Sequence, residues 1–412
     1  MRRVVVTGLG LITPVGNDVA STWESLIAGR SGLGLVSRFD ASAYDHPIAA
    51  EVKNFNIAEV VDSKLARKID LSSGFALAAS HQALADARLD MTQEDTSRVG
   101  VLLGTGMGSA HLIIEQQQIL DEKGPRRVSP FLVSHMLPDT ATGLVAIATG
   151  ARGPNFAVTA ACATGGAATG EAAEMVARGD ADVMIAGGYE APLQPIYYAG
   201  FNAMKALAEH EDPTKALRPF DSTRNGFILG EGAGVLILEE LEHAKARGAR
   251  IYAEWRAAGT SNDAYDMFAA AEDGHGIAQA MRLAMSRGGI EPTDIQYINA
   301  HGTSTPLNDR VETRAIREVF GEAADDLMVS STKSMHAHMM GAAGAVEAAV
   351  IALVCHHGIV PPTINYTNPD PDCDLDYVPN EARQAEVRMA MSTSVGLGGH
   401  NSAIIFSKWE DA

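Results

Sequence analysis

Apolar residues along the chain fall into short β-prone runs separated by longer stretches of helical period, and this alternation carries through most of its length. The pattern predicts a strand over 3–7, then a helix capped by Asn17 and running to Ala28, where Gly29 ends it. The region to about Lys68 reads as loop-rich. A helix of small residues is predicted over 73–87, and a strand over 99–103 ending in Gly104-Thr105-Gly106. From there to Pro138 the pattern is irregular, punctuated by Pro125, Pro130 and Pro138. A helix over 139–148 follows, then a strand over 155–159. That strand stops at Cys162, and only small residues come after it (Ala163 to Gly170), which predicts a sharp turn into a helix over 163–177 closed by Gly179. Strands over 182–186 and 230–238 complete this part, the second feeding a short charged helix over 239–247.

The order then begins again. Strands are predicted over 251–258, 295–300, 327–331 and 402–406, with helices over 276–286, 308–319 and 341–355 between them. Strand–helix alternation implies parallel sheets joined by crossover helices. Each half has a strand ending in a Gly-Thr turn (Gly104-Thr105, Gly302-Thr303), then a strand feeding an alanine-rich helix. The expected fold is therefore α/β, a duplication joined near residue 250, with one half over 1–250 and the other over 251–412.

Composition narrows the function classes. A chain of 412 residues exceeds the usual single core. Its 46% hydrophobic content and 40 glycines suit a packed protein with close backbone contacts. Three scattered cysteines (Cys162, Cys355, Cys373) are too few for a disulfide framework or a zinc site, so a reducing, cytoplasmic setting is expected. Met1-Arg2-Arg3 before Val4-Val5-Val6 has the start of a leader, but Gly8, Gly10 and Pro14 break the run, which reads better as a first strand. No uninterrupted apolar run reaches membrane-spanning length, so no membrane is expected. A net charge of −19 argues against nucleic acid as a partner. Against that background, Lys64, Arg67 and Lys68 form one basic spot, and Arg126 and Arg127 beside Lys123 form another.

The chemical signals sit at equivalent places in the two halves. Cys162 stands at a helix start, where the macrodipole and unsatisfied N–H groups favour the nucleophilic thiolate. Asn299-Ala300-His301-Gly302-Thr303-Ser304-Thr305-Pro306 puts a histidine at the carboxyl end of a buried strand, the edge where catalytic groups collect. Ser331-Thr332-Lys333-Ser334-Met335-His336-Ala337-His338 places a lysine and two histidines just after the next strand, ahead of a helix carrying Glu347.

Three segments, T-A-A-C-A-T-G-G, N-A-H-G-T-S-T-P and S-S-T-K-S-M-x-x-H-x-x-G-A-A-G-A-V-E, resemble those of the type II β-ketoacyl-acyl-carrier-protein synthases, elongating condensing enzymes of the thiolase fold. The resemblance runs from V-V-V-T-G-L-G at the start to G-L-G-G-H-N near the end. It outweighs a dinucleotide-binding reading of Gly8-Leu9-Gly10, where Thr13 and Pro14 spoil the glycine pattern. It implies a layered αβαβα arrangement with mixed sheets and the site between the halves. It also implies decarboxylative condensation of an enzyme-bound acyl chain with malonyl-acyl-carrier protein in fatty acid elongation. Carried over by position, Cys162 is the nucleophile, and His301 and His338 assist decarboxylation. Lys333 tunes the second imidazole with Glu347 as counter-ion. Backbone N–H groups of Cys162 and Leu397 form the oxyanion site, and Thr303 and Thr305 bond the pantetheine arm. Met107, Phe201 and Val395 belong to the acyl pocket. The basic spots, with Lys205, become a dock for the acidic carrier protein, which brings the phosphopantetheine; no metal or resident cofactor is implied. Family members are homodimers, and the run 155–159 is a strand suited to pairing across the two-fold axis.

Departures from the family pattern leave alternatives open. Val395 and Leu397 replace phenylalanines, the latter a gate over the cysteine. His336-Ala337 bring an extra imidazole near the site, and Phe268-Ala269-Ala270 replace a pantetheine-contacting segment. A ketosynthase subunit of a type II polyketide or polyene pathway, paired with a chain-length-factor-like partner, is the alternative function. A non-catalytic partner subunit is disfavoured by the presence of Cys162, His301, His338 and Lys333. A degradative thiolase is disfavoured by Gly398-Gly399-His400, where a second cysteine is wanted.

Overall fold

The computed structural model describes residues 1–410. Ten strands form one mixed sheet: β1 (Val4–Ile12), β2 (Val99–Gly104), β3 (Asn155–Val158), β4 (Val183–Glu190), β5 (Gly232–Glu240), β6 (Ala253–Asn262), β7 (Tyr297–Asn299), β8 (Met328–Ser330), β9 (Met389–Gly396) and β10 (His400–Lys408). Their order is β8-β7-β9-β10-β6-β1-β5-β4-β2-β3. Read outward from the centre, β1-β5-β4-β2-β3 repeats as β6-β10-β9-β7-β8, so the two halves are duplicates in topology. In each half the outer pairs are parallel and the inner pairs antiparallel, a mixture that strand–helix alternation alone did not convey. The halves join where Val4–Val6 of β1 pairs antiparallel with Ala253–Trp255 of β6.

Two helices, Thr164–Arg178 and Ala343–His357, pack on each other and on strands of both halves. Leu71–Ala87 covers the outer face of one half, and His275–Gly288 with Pro306–Phe320 that of the other. The result is the layered thiolase arrangement. The crossing of the central helices depends on glycine: a Cβ on Gly165 would stand 2.5 Å from the Ala345 nitrogen, and one on Gly344 2.5 Å from that of Gly166. Met340–His357 is apolar and long enough to cross a membrane by composition, but 89% of it is buried inside the protein, as befits a core helix.

Several boundaries differ from expectation for tertiary reasons. β1 does not stop at Thr7; Gly8 and Gly10 lie within it, because a Cβ there would approach Ala83 O to 2.2 Å and Ala79 O to 1.9 Å on the overlying helix. The first helix is Val19–Ile27, capped by Asp18, whose carboxylate accepts from Ser21 N at 2.7 Å; Asn17 instead donates to Lys53 O. The irregular stretch before Pro138 contains the helix Ala110–Lys123, whose N-cap residue Ser109 makes no side-chain capping hydrogen bond. β9 had no counterpart in the sequence pattern. It pairs residue by residue with β10, so the glycine-rich turn at 396–399 is the tip of a hairpin.

Candidate active site

β3 delivers the chain to Ala160, and a single 3₁₀ turn, Ala161–Ala163, precedes the helix Thr164–Arg178. Ala161 takes a left-handed φ of 47°. Ala160 N–H donates to Thr164 Oγ1 at 2.7 Å, so the helix's first residue fixes the bend. This elbow points Cys162 inward, where it is 8% exposed and its sulfur lies 3.9 Å from Met340 Sδ. Burial pushes the thiol up to about 11, against the lowering effects of the Leu397 N–H, the Lys333 charge and its own N–H. The expectation of a resting thiolate is therefore corrected. Loss of hydration outweighs the helix terminus, and Cys162 rests as a thiol.

His301 lies two residues beyond the end of β7. Its N–H and that of Gly302 both donate at 2.8 Å to Glu312, a buried carboxylate that also accepts from Thr393 Oγ1 at 2.7 Å. His338 is held by a backbone bond to Ile228 O at 2.9 Å and packs edge-on against Phe227. The two imidazoles stand perpendicular with centroids 5.2 Å apart. Desolvation, then the charge of Lys333, holds both well below the ordinary histidine range, so both are neutral. Each Nδ1 is buried without a hydrogen-bond partner. Lys333 and Glu347 form a buried ion pair. Burial raises the Glu347 carboxyl to about 7 despite the ammonium beside it, and its Oε2 has no partner.

A cavity of about 450 Å³ joins these groups. Cys162, His301, His338, Thr303, Thr305, Phe201, Val395, Leu397 and Lys205 all line it, as does the segment Phe268-Ala269-Ala270. The two threonine hydroxyls lie 3.1 Å apart. Leu397 sits at the hairpin tip, 38% exposed. Met107 does not reach the cavity wall; it packs behind it, in the apolar cluster that includes Cys162 and Phe201.

Two buried glutamates escaped the sequence reading. Glu312 is one. Glu190, the last residue of β4, is the other: it accepts from Thr105 Oγ1 and Gly106 N at 2.7 Å, Gly341 N at 3.0 Å and Met107 N at 3.2 Å. It thus ties the turn after β2 to the loop entering the central helix of the other half. The only signal for either was an acidic residue at a position of otherwise apolar periodicity.

Lys205 lines the cavity and is exposed; away from the cavity, Lys64, Arg67, Arg126 and Arg127 are exposed and Lys68 is half-buried. None of the six forms an ion pair among the described residues. The Lys68 ammonium lies 3.9 Å above the Phe131 ring, which brings the segment of Lys64 to that of Arg127. The two basic spots are neighbours on one face.

Comparison with known proteins places these features in a family. Residues 1–244 match the N-terminal domain of β-ketoacyl synthases, and residues 252–367 match the C-terminal domain. The chain is 50% identical over 410 residues to 3-oxoacyl-[acyl-carrier-protein] synthase 2 of Staphylococcus aureus (strain COL), covering 99% of both chains. Among solved structures, the ishigamide ketosynthase/chain length factor is similar with a TM-score of 0.92 at 35% identity, over 99% of this chain and 100% of that one. A type II polyketide ketosynthase, solved with its acyl-carrier protein and bound to the hexaketide, is similar with the same TM-score, identity and coverage. With both family domains matched in order and half of all positions shared with a full-length relative, the chain belongs to the β-ketoacyl synthases.

Proposed function

We propose that the chain elongates fatty acids: it takes an acyl group onto Cys162 and condenses it with malonyl-acyl-carrier protein, releasing CO₂ and β-ketoacyl-acyl-carrier protein. The observation that carries this reading is the convergence of one thiol, two neutral imidazoles and two backbone N–H groups on a single cavity. In loading, a neutral imidazole accepts the thiol proton as sulfur attacks the acyl thioester. The oxyanion rests on the N–H groups of Cys162 and Leu397, and the pantetheine sulfur leaves with a proton. In condensation, the malonyl thioester oxygen takes hydrogen bonds from His301 and His338 as CO₂ departs. The enolate carbon attacks the Cys162 thioester, and the cysteine sulfur leaves as thiolate and takes one proton from solvent, which balances the loss of CO₂. Burial, reinforced by the charge of Lys333, keeps both imidazoles neutral, so that they offer donors rather than charges; Glu347 balances the lysine. Thr303 and Thr305 receive the pantetheine arm, Phe201 and Val395 flank the acyl chain, and Met107 backs its pocket.

Relatives at half identity named as synthase 2 favour fatty acid elongation over the polyketide alternative, whose structural neighbours stand at 35%. The basic face formed by Lys64, Arg67, Lys68, Arg126 and Arg127, with the exposed Lys205 at the cavity, supports docking of an acidic carrier protein, which supplies the phosphopantetheine; the protein itself holds no resident cofactor in this reading. β3 is one of the sheet's two edge strands, with Phe156 exposed. This supports a homodimer paired along that edge, while a heterodimer with a related subunit is the alternative. The same reading divides the duplicated chain at residue 250 and places the reaction in the cytoplasm.

The test is direct. Incubation with acyl- and malonyl-carrier proteins should yield a carrier-bound product two carbons longer, seen by mass; absence of any elongated product with every acyl length tried overturns the proposal. His338→Ala is expected to slow malonyl decarboxylation by about 10²–10³-fold while slowing acyl loading less. Equal losses in the two half-reactions would remove this division of roles. Leu397→Phe, at an exposed hairpin tip, should change the loading rate severalfold with no change in thermal stability; unaltered loading kinetics would remove the gate.

A further inference from the structure

Ala337 is buried with φ 61° and ψ −173°, a backbone region that only glycine occupies without strain. Its methyl lies in the apolar cluster that contains Cys162, Phe201 and Ile228. The peptide joining Ala337 to His338 is gripped from both sides. Its N–H donates to Ile228 O at 2.9 Å, and its carbonyl accepts from His336 Nδ1 at 2.8 Å. With Nδ1 donating, His336 Nε2 is an acceptor, and it accepts from Thr332 Oγ1 at 3.0 Å. Thr332 Oγ1 in turn accepts from Asn299 Nδ2 at 3.1 Å. Asn299 is the last residue of β7, two before His301. A continuous hydrogen-bonded chain therefore runs from the strand that presents one cavity imidazole to the peptide that presents the other.

We propose that His336 is a positioning residue for His338: its ring braces the strained Ala337 peptide and so sets the spacing of the two cavity imidazoles. His336 is fully buried and absent from the cavity wall, so it acts through His338 and not on substrate. Burial holds its imidazole down to about 3, which keeps the donor and acceptor ends of the brace fixed across the working pH range. His336 and Ala337 act as a pair: the strain introduced by a side chain at 337 is what makes the brace necessary. The consequence for rate rests on the condensation reading; the brace itself does not.

The experiment compares wild type, His336→Leu, Ala337→Gly, the double variant and His336→Gln by crystal structure and by malonyl decarboxylation. In His336→Leu the 337–338 peptide should rotate and the His338 ring shift, with kcat falling about tenfold to a hundredfold at unchanged KM. In the double variant, glycine adopts the same backbone without the brace, so ring position and kcat should return to within about threefold of Ala337→Gly alone. His336→Gln, which retains one donor and one acceptor, should fold and stay near wild type. An unmoved His338 ring in His336→Leu overturns the brace, as does an equal loss in both 337 backgrounds. A wild type that makes no elongated product sinks the condensation reading instead, and the crystal structures then decide the brace unaided.

Discussion

Cys162→Ala, incubated with an acyl-carrier protein that loads the wild type, is expected to show no mass gain, and condensation should fall by roughly 10⁴–10⁶-fold. An acylated variant would refute the assignment of the nucleophile. The fold should survive, because alanine leaves only a thiol-sized space beside Met340, costing about 1 kcal/mol. The raised thiol gives a second readout. Its thiolate fraction grows tenfold per pH unit until about pH 11, so alkylation of Cys162 by iodoacetamide should keep accelerating from pH 7 to 10. A plateau near neutrality would mean that a resting thiolate exists after all. Catalysis at neutral pH then depends on moving the proton as the acyl chain arrives, which is why the neutral imidazoles matter in both half-reactions.

Lys333→Met should destabilise the protein by about 3–5 kcal/mol at pH 8, since it strands a buried carboxylate. The sign of the pH dependence follows from Glu347. Its folded value, about 7, lies above the ordinary 4.5 of a glutamate. Its protonated form is the one folding favours, so its contribution is fully present below about pH 4.5 and is lost as pH rises through 7. Without the ammonium the carboxyl rises further, and the loss extends to higher pH. The deficit against wild type should thus be small at pH 5 and largest at pH 8, measured by urea unfolding. Equal deficits at the two values would show that packing of the lysine stem, and not charge, is what was removed. Lys333→Met with Glu347→Gln should regain most of the stability without regaining activity.

Much of the site was legible because its chemistry is concentrated in segments that each sit at a strand's carboxyl end. Cys162, His301, Lys333 and His338 follow β3, β7 and β8, and strand ends are marked locally by glycine and small residues. What depended on distant contacts was not legible. Gly8 and Gly10 read as a break because nothing near them announces the helix that lies 2 Å from a would-be Cβ. The helix Ala110–Lys123 starts at Ser109 without a capping hydrogen bond, amid the irregular proline-punctuated stretch, and β9 lacks turn residues directly before it. The protonation state of Cys162 was misjudged for the same reason. A helix start is visible in sequence, whereas burial from Leu397, Met340 and the histidine loop is supplied by segments over a hundred residues away. Glu190 and Glu312 were invisible as site residues because their partners are backbone N–H groups, which every residue has.

The bonds of Glu190 also constrain how this enzyme's product length can be changed. One carboxylate ties the amides of Gly106 and Met107 to that of Gly341, whose neighbour Met340 touches the cysteine sulfur. On the proposed reading, in which Met107 backs the acyl pocket, a substitution at 107 moves the wall of the reaction centre as well. Selection for shorter or longer acyl chains should rarely succeed one substitution at a time, and libraries that vary 107 together with 340 have the better prospect of changing chain length without losing turnover.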